Sequence, residues 1–223
     1  MKRFERLAEA HTPNGTAITL YRHDGSYVIW ADGIELMSTR RHLSEDRLAE
    51  VACAPIRDRA RARVLVGGLG LGFTMRAALA SLGSDAEVVV AELVPAVIEW
   101  NADEQYGISA ESMRDPRVRI VNGDVIDVIR ANADGFDALM LDTDNGPDGM
   151  LISENASLYS DRGIAETIAS LRAGGVIAYW SVGDDPKFVT ALRRAGLEVE
   201  TQRVRAHATR GTTHTLYLAT RRR

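Results

Sequence analysis

The run FDALMLDTDNGPDGM, residues 136–150, ends an apolar stretch at Asp142 and follows it with Asp144 and Asp148 in a turn built from Asn145, Gly146 and Pro147. Carboxylates crowded at a strand end repel one another, which raises some of their pKa values and suits a general base. Asp142 is the candidate base or orienting group. Asp144 is a second candidate, although its side chain could equally close an Asx turn with Asn145. Upstream, VLVGGLGLGFTMRAALA (64–80) sets Gly68, Gly70 and Gly72 between a strand-like run and a helical one. Backbone without Cβ atoms turns tightly and comes close to a ligand, and the helix behind it offers unpaired N–H groups. About 20 residues beyond that turn, EVVVAE ends in Glu92, with Leu93 next. A doubly wound nucleotide site places a carboxylate there for ribose hydroxyls. Asp124, in VRIVNGDVIDVI, opens a further helix. It serves either as an N-cap or as an acceptor for an adenine amino group, with the Val125 backbone N–H offered to the ring.

These residues need a scaffold that brings successive strand ends together. From Arg63 onward, apolar runs (RVLVG, EVVVAEL, RVRIVNG, FDALMLD, GVIAYWS) alternate with amphipathic ones such as PAVIEWNADEQY and DPKFVTALRRAG. Near-continuous hydrophobic strands imply a parallel sheet covered by helices on both faces. The expected fold is a doubly wound, Rossmann-like α/β domain over residues 56–223, with seven mostly parallel strands and a closing antiparallel pair of LEVETQRV with HTLYLATR. Residues 1–55 read as a small unit. TAITLYRHDGSYVIWADGIELMS carries two turn signals, HDG and ADG, between β-branched and aromatic runs, so a hairpin or meander is expected over about residues 16–37. SEDRLAEVACAP then reads as a linking helix capped by Ser44 and stopped at Pro55.

Glycine turn, Glu92 with Leu93, and Asp124 with Val125 follow in the order found in class I S-adenosylmethionine-dependent methyltransferases, which the chain resembles. More narrowly it is similar to their spermidine synthase-like branch, through VLVGGLGLG, VVVAEL, VNGDVIDVI, LDTDNGP, SLYSDRGI and LRAGGVIAYWS. The resemblance implies that Gly68, Gly70 and Gly72 approach the amino acid part of S-adenosylmethionine, that Glu92 holds the ribose and that Asp124 reads the adenine. It also implies that Asp142 orients or deprotonates the attacking amine and that Asp144 helps to hold it. The chain departs from the branch at the first turn. Spermidine synthases carry an aspartate there for the aminopropyl amine, whereas Gly67 to Gly72 include no acid. Their diamine-binding stretch survives only as RRHLSEDRLAE, without its tyrosine. A turn lacking the acid suits an intact methionine carboxylate, so methyl transfer to a small-molecule acceptor is the expected activity. Aminopropyl transfer from decarboxylated S-adenosylmethionine to a polyamine, or plain nucleoside binding, is the alternative.

Composition narrows the partners. The 223 residues are 45% hydrophobic and 26% charged with a net charge of −4, which gives no basic surface for nucleic acid or an anionic membrane. The single cysteine, Cys53, excludes an intramolecular disulfide framework, and the five histidines lack metal-ligand spacing, so no metal is expected. No apolar run approaches the ~20 residues of a membrane helix, and the expected setting is cytoplasmic. A homodimer is the oligomer that the resemblance implies.

Overall fold

The computed structural model describes residues 3–142, 157–207 and 212–221. Four N-terminal strands, β1 (Glu5–His11), β2 (Ala17–His23), β3 (Ser26–Ala31) and β4 (Ile34–Ser38), form an antiparallel meander in chain order. Asp24 with Gly25 and Asp32 with Gly33 all have positive φ, so both turn signals close two-residue hairpins of the type that matches strand twist. The expected hairpin is therefore a larger sheet, because β1 adds to its edge. The ERLAEAH segment is charged and largely exposed; it joins through backbone pairing to β2, with only Leu7, Ala8 and Ala10 partly buried against the core.

The main sheet contains β5 (Arg63–Gly67), β6 (Glu87–Glu92), β7 (Val118–Asn122), β8 (Phe136–Leu141), β9 (Leu171–Ser181), β10 (Leu197–Arg205) and β11 (Thr213–Arg221). Its order is β10-β11-β9-β8-β5-β6-β7. The five strands from β7 to β9 are parallel, while β11 runs antiparallel between β9 and β10. Residues alternate between two buried faces. Val64, Val66, Met140 and Ala178 face one side, and Leu65, Leu139, Leu141 and Tyr179 face the other. On the first side pack α1 (Leu43–Cys53), α2 (Phe73–Ser81), α3 (Pro95–Ala102) and the inner face of the N-terminal meander through Ile18, Leu20 and Ile29. On the second pack α5 (Val125–Arg130), α6 (Asp161–Ser170) and α7 (Pro186–Arg194), the short α4 (Ala110–Met113) lying beside α3. The doubly wound α/β expectation stands.

Helix α1 differs from its sequence reading. It starts at Leu43, with His42 at the cap position and no side-chain capping bond. Ser44 is not the N-cap: it lies inside the first turn, fully buried, with its hydroxyl engaged in the interior. Among the described residues no helix is long and apolar enough to cross a membrane.

One buried acid fastens the foot of the sheet. Asp137, in the second position of β8, is fully buried, and it accepts from Arg59 Nη1 at 2.6 Å, Arg172 Nη1 at 2.9 Å and the Arg63 backbone N at 2.7 Å. It thus ties the segment after α1 and the starts of β5 and β9 to a central strand. Asp137→Asn keeps the shape and removes the charge. Charge-assisted hydrogen bonds contribute roughly 1.5–3 kcal/mol each, and both arginines are partly exposed and regain water, so the expected loss is about 3 kcal/mol. At 2–4 °C per kcal/mol for a chain of this size, Tm falls by roughly 10 °C. Thermal and urea unfolding check this; unchanged stability would mean that the arginines hold the sheet without the acid.

Candidate functional site

The chain leaves β5 for β6 and β7 on one side and returns to β8 on the other, so the strand order reverses between β5 and β8. Ligands of open α/β sheets bind outside the carboxyl ends of the strands at such a point. A cavity of about 830 Å³, open mouth included, lies there, a size typical of small-molecule sites. Gly68, Gly70, Glu92, Leu93, Asp124, Val125 and Asp142 all line it. Its roof is the N-terminal meander, through Thr12, Ile18, Ile29, Leu36 and Met37. Gly72 does not line the cavity; it precedes α2 and faces Ser109, where a Cβ would come within 2.7 Å of the Ser109 Cβ. Asp144 lies outside the described residues, as does the rest of its turn.

At the glycine turn the protein's own segments come close to the backbone. Gly68 has φ +94, and a side chain there would run into the Asp142 carbonyl oxygen. Gly70 has φ +52 and lies under the Met37 thioether. Both positions therefore require glycine to let neighbouring segments close over the turn. The carbonyl of Gly70 accepts from Asn101 Nδ2 at 2.7 Å, and Asn101 Oδ1 accepts from Ser109 Oγ at 2.6 Å. Asn101, fully buried in α3, was invisible in the sequence because PAVIEWNADEQY shows only an amphipathic helix.

Glu92 is buried at the end of β6. Its Oε2 accepts from the Leu69 backbone N at 2.9 Å and its Oε1 from the Val94 backbone N at 2.8 Å. Burial raises its pKa, and the backbone N–H groups around it oppose that rise. Each oxygen keeps acceptor capacity beyond one backbone bond, so Glu92 can both fix the glycine turn and meet a ligand hydroxyl. Asp124 is the N-cap of α5: its Oδ1 accepts from the Ile126 backbone N at 2.9 Å while the residue lines the cavity. Asp142 closes the opposite wall. Its backbone N donates to the Gly67 carbonyl at 3.0 Å, and its Oδ2 accepts from Thr74 Oγ1 at 2.9 Å.

A second acid, Glu45, feels the charge of Asp142. Glu45, in the first turn of α1, is buried, and its pKa is pushed up to about 7 by burial first and by the Asp142 charge second. In sequence Glu45 looks like an ordinary acid in a helix's first turn, and only the packing of α1 against α2 and β8 reveals it. Ser44 Oγ hydrogen-bonds Glu45 Oε2, and it lies 3.0 Å from His214 Nδ1. The sequence suggested no grouping of serine, histidine and acid. This one arises because β11 carries His214 across to α1. Trp180 packs edge-on against His214 at 4.4 Å, Tyr159 against Phe188 at 5.3 Å, and burial pushes the Cys53 thiol up to about 12. Among the described residues no group of three or more His, Cys, Asp or Glu is placed to hold a metal ion.

No family model matches the chain. It is 29% identical over 198 residues to the polyamine aminopropyltransferase of Mycobacterium tuberculosis, a match covering 82% of this chain and 35% of the relative, and equally similar to that of Mycobacterium bovis. The chain spans about a third of the length of these curated relatives. Solved structures agree in fold. The spermidine synthase from Thermotoga maritima gives a TM-score of 0.74 at 19% identity, with 96% of this chain and 72% of that one covered. A spermidine synthase in complex with the transition state analogue AdoDATO gives 0.73 at 18%, with the same coverage, and a probable spermidine synthase from Corynebacterium glutamicum gives 0.67 at 15%, covering 96% and 79%. These relatives overturn the expectation of methyl transfer: they are named for aminopropyl transfer and spermidine synthesis. The inference from the missing acid gave one side chain more weight than similarity along most of the chain. The chain has the spermidine synthase-like form of the class I S-adenosylmethionine-dependent methyltransferase fold.

Proposed function

We propose that the protein is an aminopropyltransferase of the spermidine synthase type, with decarboxylated S-adenosylmethionine as donor and a small polyamine as acceptor. The observation that carries this reading is the charge of the cavity. Glu92, Asp124 and Asp142 line it, and among the described lining residues there is no Lys, Arg or His. Such a wall attracts a sulfonium and ammonium groups and disfavours the carboxylate of an intact methionine tail. The similarity to polyamine aminopropyltransferases supports the same choice. The glycine turn carries no acid for the donor's ammonium. Asp142, packed against Gly68, supplies negative charge at that end of the cavity.

The donor set fits an adenosine. Glu92 would hold the ribose hydroxyls, and Asp124 with the Val125 backbone would meet the adenine. Leu93 and the apolar roof from Ile18 to Met37 would cover the rings. Gly68 and Gly70 leave room for the tail. When bound, the donor supplies a sulfonium whose neighbouring carbon takes the amine's lone pair as the carbon–sulfur bond breaks and its electron pair returns to sulfur. The chain's part is alignment and proton removal. Alignment alone is worth on the order of 7–11 kcal/mol in well-oriented systems. Asp142, fixed by Thr74, would take the proton that frees the acceptor's lone pair. Asp144 is assigned, through the resemblance alone, to the same amine.

Incubating the protein with decarboxylated S-adenosylmethionine and a panel of diamines and polyamines is expected to release methylthioadenosine; no release with any amine would overturn the reading. Asp142→Asn should lower turnover by on the order of 10²- to 10⁴-fold with nucleoside affinity kept. Near-wild-type turnover would remove Asp142 from the chemistry. Glu92→Gln replaces an acceptor oxygen by an amide that faces backbone N–H groups. By calorimetry it should weaken methylthioadenosine binding about 10- to 150-fold in a folded protein. Unchanged affinity would mean that the ribose is held elsewhere.

A further inference from the structure

We propose that Met37 is a specificity-determining residue for the donor's tail and works by exclusion: a β-bulge aims its thioether over the glycine turn, where it turns away a carboxylate. The proposal deepens the reading of the cavity as a site for decarboxylated S-adenosylmethionine and rests on it. In a regular strand consecutive side chains point to opposite faces. The pairing of β3 with β4 runs from Ala31 with Ile34 to Trp30 with Glu35 and then jumps to Ile29 with Met37, so Leu36 is an extra residue. Trp30 and Glu35 belong to the far face, where Trp30 packs on Phe4 and Tyr21 and Glu35 pairs with Arg41. Leu36 and Met37, although adjacent, both line the cavity. Met37 ends over Gly70: a Cβ built there would lie 2.5 Å from its Cε and 2.7 Å from its Sδ. The tip of the methionine thus fills the space that a side chain of the turn would take.

A carboxylated tail needs hydrogen-bond donors at this turn, and the protein uses them itself. The Gly68 backbone N donates to the Ala91 carbonyl at 2.9 Å, the Leu69 N to Glu92 Oε2 at 2.9 Å and the Gly72 N to the Leu69 carbonyl at 2.7 Å. The Gly70 N–H also faces Glu92 and helps to hold its charge. A carboxylate set among engaged donors, the acids Glu92, Asp124 and Asp142 and a methyl thioether gives up water and gains no partner. An ammonium in the same place keeps the attraction of the three acids. The two tails are therefore told apart by a penalty on one of them, with no ion pair at the turn itself. Methionine suits the position because its three rotatable bonds let an apolar end settle on the tail's carbons, while its sulfur is only a weak acceptor.

Calorimetry on the whole chain tests this without turnover. S-adenosylmethionine and its decarboxylated form differ by one carboxylate, and their ratio within each variant cancels any change in the grip on the nucleoside. The wild type is expected to prefer the decarboxylated form by about 10- to 150-fold, the effect of one charged group left without a partner. Met37→Ala opens the space over Gly70 to water and should cut that preference by about fivefold or more, while Met37→Leu, apolar and of similar size, should keep it. Equal affinities in the wild type, a preference for the carboxylated form, or a preference that Met37→Ala leaves unchanged overturns the proposal. Methionine-methyl NMR of the wild type gives a second readout that does not depend on how Met37→Ala folds. The Met37 signal, identified by its loss in Met37→Leu, should shift further with decarboxylated S-adenosylmethionine than with methylthioadenosine, which has no aminopropyl tail. Equal shifts, or none, also overturn the proposal. A wild type that shows the expected preference and yet transfers no aminopropyl group would remove the proposed function alone.

Discussion

Glu92 is a charge that the protein holds out of water, and the site is arranged around its cost. A carboxylate at the end of a buried strand is tolerated only where donors reach it, and here they come from the turn after β5 and from the turn before α3. The same bonds therefore set how far the glycine turn stands from the second strand. Asn101 and Ser109 hold that turn from the other side. A glycine loop with so few side chains of its own is given its shape by its neighbours. This is also why its glycines are needed for packing as much as for a ligand: the Asp142 carbonyl and Met37 occupy the space that side chains would take.

Most of the main sheet was legible because its strands are buried on both faces and so read as unbroken apolar runs. RVLVG, EVVVAE and FDALML place alternate side chains in two separate cores. The strand ends were legible for the same reason, since a polar residue that ends such a run marks the rim of the crevice. Glu92, Asp124 and Asp142 all line the cavity. Edge elements were less legible. β1 pairs through its backbone and shows no periodic apolar face, so ERLAEAH reads as an ordinary charged start.

The residues that were missed share one cause: their meaning depends on a partner far away in the chain. Asp137 sits inside an apolar run and takes its role from Arg59 and Arg172. Ser44 looks like a cap in SEDRLAE and is instead turned inward toward His214, 170 positions away. Glu45 resembles the acids that commonly precede a helix body, and burial changes its protonation. Local rules name the residue types that favour an element's start. They carry no information about which of those residues a distant strand will cover.

The place of β11 has a consequence for how the chain is made. Strand β9 must wait for its neighbour, because β10 comes first along the chain and ends up one position further out. During synthesis from the N-terminus, β9 shows an open row of backbone donors and acceptors until β11 has been made and slotted in. Such an edge is a template for pairing with other chains, and non-local pairing is slow. The nascent protein thus passes through a stage in which the crevice between β5 and β8 has been synthesised in full while its flank is adhesive. His214 arrives with the strand that ends this stage, so closure of the sheet and completion of the Ser44 contact are one event.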